Sequence, residues 1–409
     1  MKQDVVTFNF NSIMKNFFLL ILITVFLSCK KNADELCCTP PVVETNPSIT
    51  IDAITQAEGN NGTTDFVFTI KLNKSSTKTV SVRAATKDGF ALAGKDYSSV
   101  DKTVTINPGE LSAKLIVSVI ADDFREGDDD FQVVLSEPVN ATIEIAVGAG
   151  SIVNDDTKIQ VIETGYSSPN TYQGMNLVWS DEFNGTGLNT SDWNYDVGDG
   201  CPNCGWGNNE LEYYTAGDNL FFQSGKMIIE ARRENKNGKS YTSTRLNSLN
   251  KKSFKFGRID IRAKLPYGQG IWPALWMLGD NFPTAGWPAC GEIDIMEMLG
   301  HQPTKVYSTI HYKAGTGSRS IEKSLVNATS LADEFHVYSL VWETDKIKTM
   351  LDDKIIGEYT AADVSGNYPF NDKFFFIFNI AVGGNWPGSP NTSTYFPQWM
   401  MIDYIRVFQ

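Results

Sequence analysis

Positive charge is scarce in this chain. Its 409 residues carry 35 Lys and Arg against 48 Asp and Glu, a formal net charge of −13. A phosphate backbone calls for a basic patch, so nucleic acid is excluded as a partner and a neutral substrate suits the chain better than an anionic one. Histidine is nearly absent, with three in all, and residues 48–156 have no Trp, Cys or His. That stretch offers little for catalysis. All nine Trp lie at or after Trp179, so the C-terminal part has a different task. Long amphipathic helical periodicity is missing throughout the body. In Cys201-Pro-Asn-Cys204 neither a second C-x-x-C nor a neighbouring His supports zinc, and an exported chain favours a Cys201–Cys204 disulfide. Cys290 reads as a buried free thiol, and the adjacent Cys37 and Cys38 cannot bond each other comfortably.

What is present divides the chain. A length of 409 residues calls for two or three domains, and 42% hydrophobic with 20% charged residues is a globular composition. Met14-Lys15-Asn16 precedes an apolar run from Phe17 to Leu27, too short for a stable membrane span but of signal-peptide length. Residues 1–28 are therefore expected to be a signal segment, with Met14 its better start. The ending F-L-S-C resembles a bacterial lipobox. It implies cleavage before Cys29 and lipid on Cys29, hence an exported protein anchored to the outer membrane at the cell surface or periplasmic face. Residues 29–47 are polar and Pro-bearing, a linker off the membrane.

Over residues 48–156 short alternating runs such as F-V-F-T-I-K-L and K-L-I-V-S-V-I are separated by turn signals, about seven strands in all. This pattern predicts an Ig-like β-sandwich. The acidic run 121–130 is either a solvated loop or a set of hard oxygen ligands. A-G-K-D-Y at 93–97, N-P-G-E at 107–110, D-D-F-R-E-G-D-D-D-F at 122–131, L-S-E-P at 135–138 and N-D-D at 154–156 resemble a Calx-β domain. The resemblance implies Ca²⁺ on acidic residues at one end of the sandwich. Asp122, Asp123 and Glu126 match, with Glu58 and Asp88 as further candidates.

Residues 157–171 link this part to 172–409, which is again strand-rich and suits a large two-sheet jelly roll. Its chemistry concentrates in C-G-E-I-D-I-M-E-M-L-G at 290–300. As a strand, Glu292 and Asp294 share one face, but Glu297 has the wrong parity. One extra residue around Met296, a β-bulge, brings all three carboxylates to one face. As a helix, Glu292 and Glu297 would stand about 140° apart and could not converge. Two carboxylates flanking a scissile bond are what glycoside hydrolysis needs. On pattern alone, acids alternating with Ile also describe the solvated face of a half-buried strand.

Trp272 and Trp276, four apart in one strand, are either core residues or flat platforms for sugar rings. L-V-W-S-D-E-F-N-G at 177–185, W-G-N-N-E-L-E-Y-Y-T at 206–215, Y-G-Q-G-I-W-P-A-L-W-M-L at 267–278, W-P-A-C-G-E-I-D-I-M-E-M-L-G at 287–300, S-T-I-H-Y at 308–312, G-G-N-W-P-G at 383–388 and M-I-D-Y-I-R-V at 401–407 follow in order. Together they resemble glycoside hydrolase family 16, in the bulged, laminarinase-like form. The resemblance implies a retaining endo-β-1,3-glucanase with Glu292 as nucleophile, Asp294 as its assisting carboxylate and Glu297 as acid/base. It implies substrate contacts at Asn208, Glu210, Arg245, Trp272, Trp276, His311 and Trp386, no cofactor for catalysis, and a structural Ca²⁺ at Glu182 and Asp403. Partners implied are a β-glucan and, through Cys29, a membrane, with a monomeric body. Mixed-linkage β-1,3-1,4-glucan, an algal galactan, or a non-catalytic lectin of the same fold stay open as alternatives. The chain departs from the family pattern at Glu212, where Gln is common, and at Trp399, where a shorter or acidic residue is common.

Overall fold

The computed structural model describes residues 45–409. The segment expected to be a signal, and Cys29, Cys37 and Cys38, lie outside the described residues.

Alternation builds the first domain. In Gly62–Leu72 every second side chain from Phe66 onward points inward, and Phe66, Phe68 and Ile70 are fully buried. Each such side chain contributes roughly 1.5–3 kcal/mol of burial free energy. A four-stranded sheet containing this strand faces a five-stranded sheet across a core of Ile49, Phe66, Phe68, Val82, Val117 and Phe131. Nine strands, not about seven, form the sandwich between Ser48 and Val153. The first strand breaks at Asp52–Ala53: Ser48–Ile51 joins one sheet and Ile54–Ala57 the other. Asp52 accepts the Thr69 N–H at 2.7 Å at this break, which makes up for lost ladder pairing. The other extra strand is the two-residue Thr142–Ile143.

The second domain is a jelly roll of a ten-stranded and an eight-stranded sheet. One large core lies between them, joining Ile259, Leu340 and Ile405 of the ten-stranded sheet to Ile293, Ile310 and Phe378 of the other. The eight-stranded sheet runs in the order Asn194–Asp196, Arg245–Asn247, Phe374–Val382, Ile271–Gly279, Glu292–Glu297, Lys305–Ala314, Gly317–Val326, and its eighth strand, Ser253–Phe254, pairs with Phe374–Val382 beside that path. Its outer face carries the cleft. The only α-helix among the described residues is the four-residue Phe282–Ala285, as the missing helical periodicity predicts.

The domains meet through charge as well as apolar packing. Arg125 of the sandwich donates twice to Glu230 of the jelly roll, at 2.7 and 3.0 Å, and Glu230 has no exposed surface. Arg232 and the Trp399 indole N–H donate to the same carboxylate at 2.6 and 3.0 Å. Trp399 also packs on the apolar cluster of Ile159, Ile228, Phe335 and Met401. Its departure from the family pattern thus has a physical role, completing the surface on which the sandwich and the link at Ile159 rest.

Candidate active site

The carboxylate strand is bulged where its parity requires. Trp276 pairs with Asp294 and Leu275 with Met296, so Ile295 has no partner on that side. On the other side Asp294 pairs with Thr309 and Glu297 with Tyr307, leaving Ile295 and Met296 opposite Ser308. Ile293, Ile295, Met296 and Met298 are all buried in the core, while Glu292, Asp294 and Glu297 line one cavity. Apolar burial therefore drives the bulge: a regular strand would put Glu297 in the core.

Neighbours hold the bulge in place. Ser308 Oγ donates to the Asp294 carbonyl at 2.8 Å, and Tyr359, on the opposite sheet, donates to the Ser308 carbonyl at 2.7 Å. Gly291, just before the strand, takes φ +82°, and a Cβ there would come within 2.8 Å of Pro369. Only glycine suits that corner.

The three acids have different surroundings. Trp287 donates its indole N–H to Glu292 Oε2 at 2.8 Å, and Trp272 donates to Glu297 Oε1 at 3.1 Å. His311 Nε2 lies 3.2 Å from Asp294 Oδ2 and 3.6 Å from Glu292 Oε1. Asp294 Oδ2 is buried with no aligned donor, which leaves room for a shared proton. Burial first, then Asp294, pushes the Glu292 carboxyl above its ordinary range; His311, Trp287 and Arg245 pull it back. Burial raises Glu297 well above its ordinary range, with Asp294 and Glu292 adding to it, against relief from His311 and the Trp272 N–H. Three acids in one cleft repel one another's charge, so the best-supported charge forms first. Each of Glu292 and Glu297 has an indole donor and His311, but Arg245 eases Glu292 alone, which favours the charge there.

The cleft, about 970 Å³, is lined by five of the nine tryptophans: Trp206, Trp272, Trp276, Trp287 and Trp386. Arg245 lies between the rings of Trp206 and Trp276, at 4.4 and 4.9 Å, and Asp196 fixes it at 3.0 Å. Trp386 packs edge-on against Trp272 and Tyr307. Asn208 donates to Glu210 at 2.9 Å, and both line the cavity. All ten residues expected at the catalytic and substrate positions therefore meet at one cleft.

Other residues there carry no assignment from sequence. Trp287 stands in the quoted W-P-A-C-G, but nothing in spacing shows its indole turning back to Glu292. Asn379 holds Trp276 by accepting its N–H at 2.8 Å, and Thr309, Ser320 and Glu322 extend the floor. Alternation on an edge strand signals only that Ser320 and Glu322 share a face. Cys201 and Cys204 are disulfide-bonded beside this cleft, and Cys290 is a buried free thiol.

The model "Glycosyl hydrolases family 16" matches residues 206–406, and the Calx-beta domain model matches 47–164. A third model, of β-glucan synthesis-associated proteins, matches 116–293 and stops before Asp294 and Glu297. The chain is 40% identical over 246 residues to a β-glucanase of Rhodothermus marinus, covering 57% of this chain and 85% of that protein. The chain belongs to glycosyl hydrolase family 16. It is 41% identical to glucan endo-1,3-beta-glucosidase A1 of Niallia circulans, covering 61% of this chain but only 40% of that enzyme's length. The laminarinase catalytic domain of Thermotoga maritima superposes with a TM-score of 0.54 at 43% identity, over 57% of this chain and 98% of that one. As a family 16 member the chain is a glycoside hydrolase, and its catalysis needs no cofactor.

The metal expectations fare unevenly. Glu182 and Asp403 line one small cavity, but Glu182 is held by Arg406 at 2.8 and 2.9 Å, and Asp403 by Arg262 at 2.7 Å and Lys226 at 2.9 Å. Fixed cations already balance these carboxylates, so the pair does not fit Ca²⁺. At the sandwich end, Asp123 is drawn off by Lys158 at 2.8 Å, and Asp88 accepts from Tyr97 and Ala93. The acids that gather are Glu58, Asp155 and Asp156, with ligand atoms within 4.8 Å of one another. Burial, then Glu126, Asp122, Asp156 and Asp155, push Glu58 up to about 8, and Asp156 Oδ2 is buried without a partner. This oxygen-only set fits a hard cation. Glu58, Asp155 and Asp156 would hold it, supplying rigidity at that end and no chemistry, while Asp122 and Glu126 act on Glu58 by charge and lie outside this set.

Proposed function

We propose that the chain is a retaining endo-glucanase cleaving internal β-1,3 bonds of laminarin-type glucans, exported and tethered to a membrane through lipid on Cys29. The bulge carries the catalytic reading, because it sets Glu292, Asp294 and Glu297 on one cleft face with the core side of the strand wholly apolar. Support for the substrate comes from the names of the relatives and from the cleft wall. Five indole faces suit neutral sugar rings, and Arg245, the only Lys or Arg lining the cleft, is committed to Asp196 and two tryptophans.

In this reading Glu297 gives its proton to the glycosidic oxygen as Glu292 attacks the anomeric carbon. The C–O bond breaks, and a glycosyl ester forms on Glu292. Glu297, now ionised, takes a proton from water, whose oxygen displaces Glu292 and restores the original configuration. Asp294 and His311 orient Glu292 and share its charge. All of these groups are side chains of one strand and its neighbours.

A digestion of laminarin, lichenan, agarose and carrageenan side by side tests the substrate. Laminarin should be cut fastest, to mixed oligosaccharides from the first minutes; faster release from agarose or carrageenan would contradict the reading.

A further inference from the structure

Beneath the cleft lies a carboxyl group that the mechanism leaves unused. Glu212 has no exposed surface. Its Oε2 accepts the Val382 N–H at 2.6 Å, but its Oε1 is buried with no donor. Glu210, two residues before the strand Glu212–Tyr214 and itself buried, is its side-chain neighbour. Two carboxylates facing each other cannot bond without a proton between them. The chain continues outward. Tyr214 donates to Glu210 Oε2 at 3.3 Å, Asn379 donates to the Tyr214 oxygen at 3.1 Å, and Asn379 accepts the Trp276 indole N–H at 2.8 Å. Asn208 completes it by donating to Glu210 Oε1.

We propose that Glu212 is a positioning residue that works as a neutral acid, its proton bridging to Glu210 and so fixing Glu210, Asn208 and Trp276 in the cleft wall. Burial and the adjacent Glu210 raise its carboxyl well above the ordinary range, in keeping with a retained proton. The charged or titratable groups facing the pair are Tyr214, Arg245, which acts on Tyr214 and is itself bound to Asp196, and Lys239, whose ammonium donates to the Glu210 carbonyl at 3.1 Å. None of these donates to Glu212 Oε1. The sign follows: the raised group is neutral at low pH, and ionisation at high pH leaves two anions side by side, breaking the chain to Trp276. Glucan binding should then weaken on the alkaline side.

This inference rests on the glucanase reading, so the test separates the two. In a Glu292→Ser background, which removes turnover, laminari-oligosaccharide affinity is followed by calorimetry from neutral to alkaline pH. Affinity should fall by up to about tenfold per pH unit above the Glu212 transition. Adding Glu212→Gln, which gives Glu210 a permanent N–H, should remove the part of the fall that Glu212 causes, leaving only what the cleft acids Asp294 and Glu297 contribute. A parallel fall with and without Glu212→Gln overturns the proposal, and so does a flat profile in both. If Glu212→Gln does not fold, Glu210→Gln supplies the N–H from the other side and should remove the same part of the fall; a fall as steep as without it overturns the proposal. If no laminari-oligosaccharide binds at any pH, the substrate reading fails. Infrared difference spectra across the same pH range then decide the proton: a protonated-carboxyl band lost on the alkaline side and missing from Glu212→Gln supports it, and identical spectra for the two proteins overturn it.

Discussion

Trp287 donates its indole N–H to Glu292 at 2.8 Å although half of the residue is exposed to solvent. The bond crosses the corner at Cys290–Gly291 and aims one oxygen of the proposed nucleophile. A hydrogen bond to a charged group contributes roughly 1.5–3 kcal/mol. Trp287→Phe should therefore lower kcat about tenfold or more on laminarin. Glu292 must be ionised to attack, and the Trp287 N–H lowers its pKa. Without it the acid limb of kcat/KM should move to higher pH, and an unmoved acid limb would remove Trp287 from this role.

The alkaline limb belongs to Glu297, which must start protonated. Its pKa is raised by burial and then by Asp294 and Glu292, so the active form persists well above the usual carboxylate range and is lost as pH rises through the raised value. Asp294→Asn removes the nearest repelling charge. The alkaline limb should shift to lower pH, together with a fall in kcat from the loss of support for Glu292. Full pH–rate profiles of both proteins check the direction.

Tyr359 ties the bulge to the opposite sheet through Ser308. Tyr359→Phe leaves the Ser308 carbonyl without that donor and should cost about 1–3 kcal/mol of stability, read from urea denaturation. Loosening the spacing between Asp294 and Glu297 should lower kcat more than it changes KM. Equal changes in both would point to a general loss of folded protein instead.

Arg125→Ala leaves Glu230 buried with Arg232 and Trp399 but without its partner from the sandwich. Breaking a buried pair costs roughly 3–5 kcal/mol, and the remaining donors place this case near the lower end. Calorimetry should show one joint melting transition separating into two, with kcat on laminarin unchanged because the bridge lies outside the cleft.

Calcium should raise the melting temperature of the sandwich, and Asp156→Asn should abolish the increase. Glu182→Gln should leave it intact, because Arg406 already neutralises Glu182. Thermal melts with calcium and with chelator make the comparison.

The sequence is most legible where a constraint is local. Glu297 has the wrong parity for its strand, and burial of Ile293, Ile295, Met296 and Met298 is a strong enough force to require the bulge at that point. The two-domain layout is likewise readable from the missing tryptophans and the alternating runs. Longer-range pairings are not. Asp123 and Asp122 are indistinguishable in the acidic run, yet Lys158 draws only Asp123 away. Asp403 looks free until Lys226 and Arg262 come from other strands to meet it. Trp287 was visible only as part of a motif, since its bond to Glu292 depends on the path of the turn between them. Glu212 and Trp399 stood out as departures from a family pattern, and their partners across the fold supply the reasons.

The stereochemistry of the first products tests the central claim most directly. Proton NMR of an early laminarin digest, recorded before mutarotation, should show new reducing ends in the β configuration, as a double displacement through Glu292 requires. New ends in the α configuration would mean a single displacement by water and would contradict the roles assigned to Glu292 and Glu297.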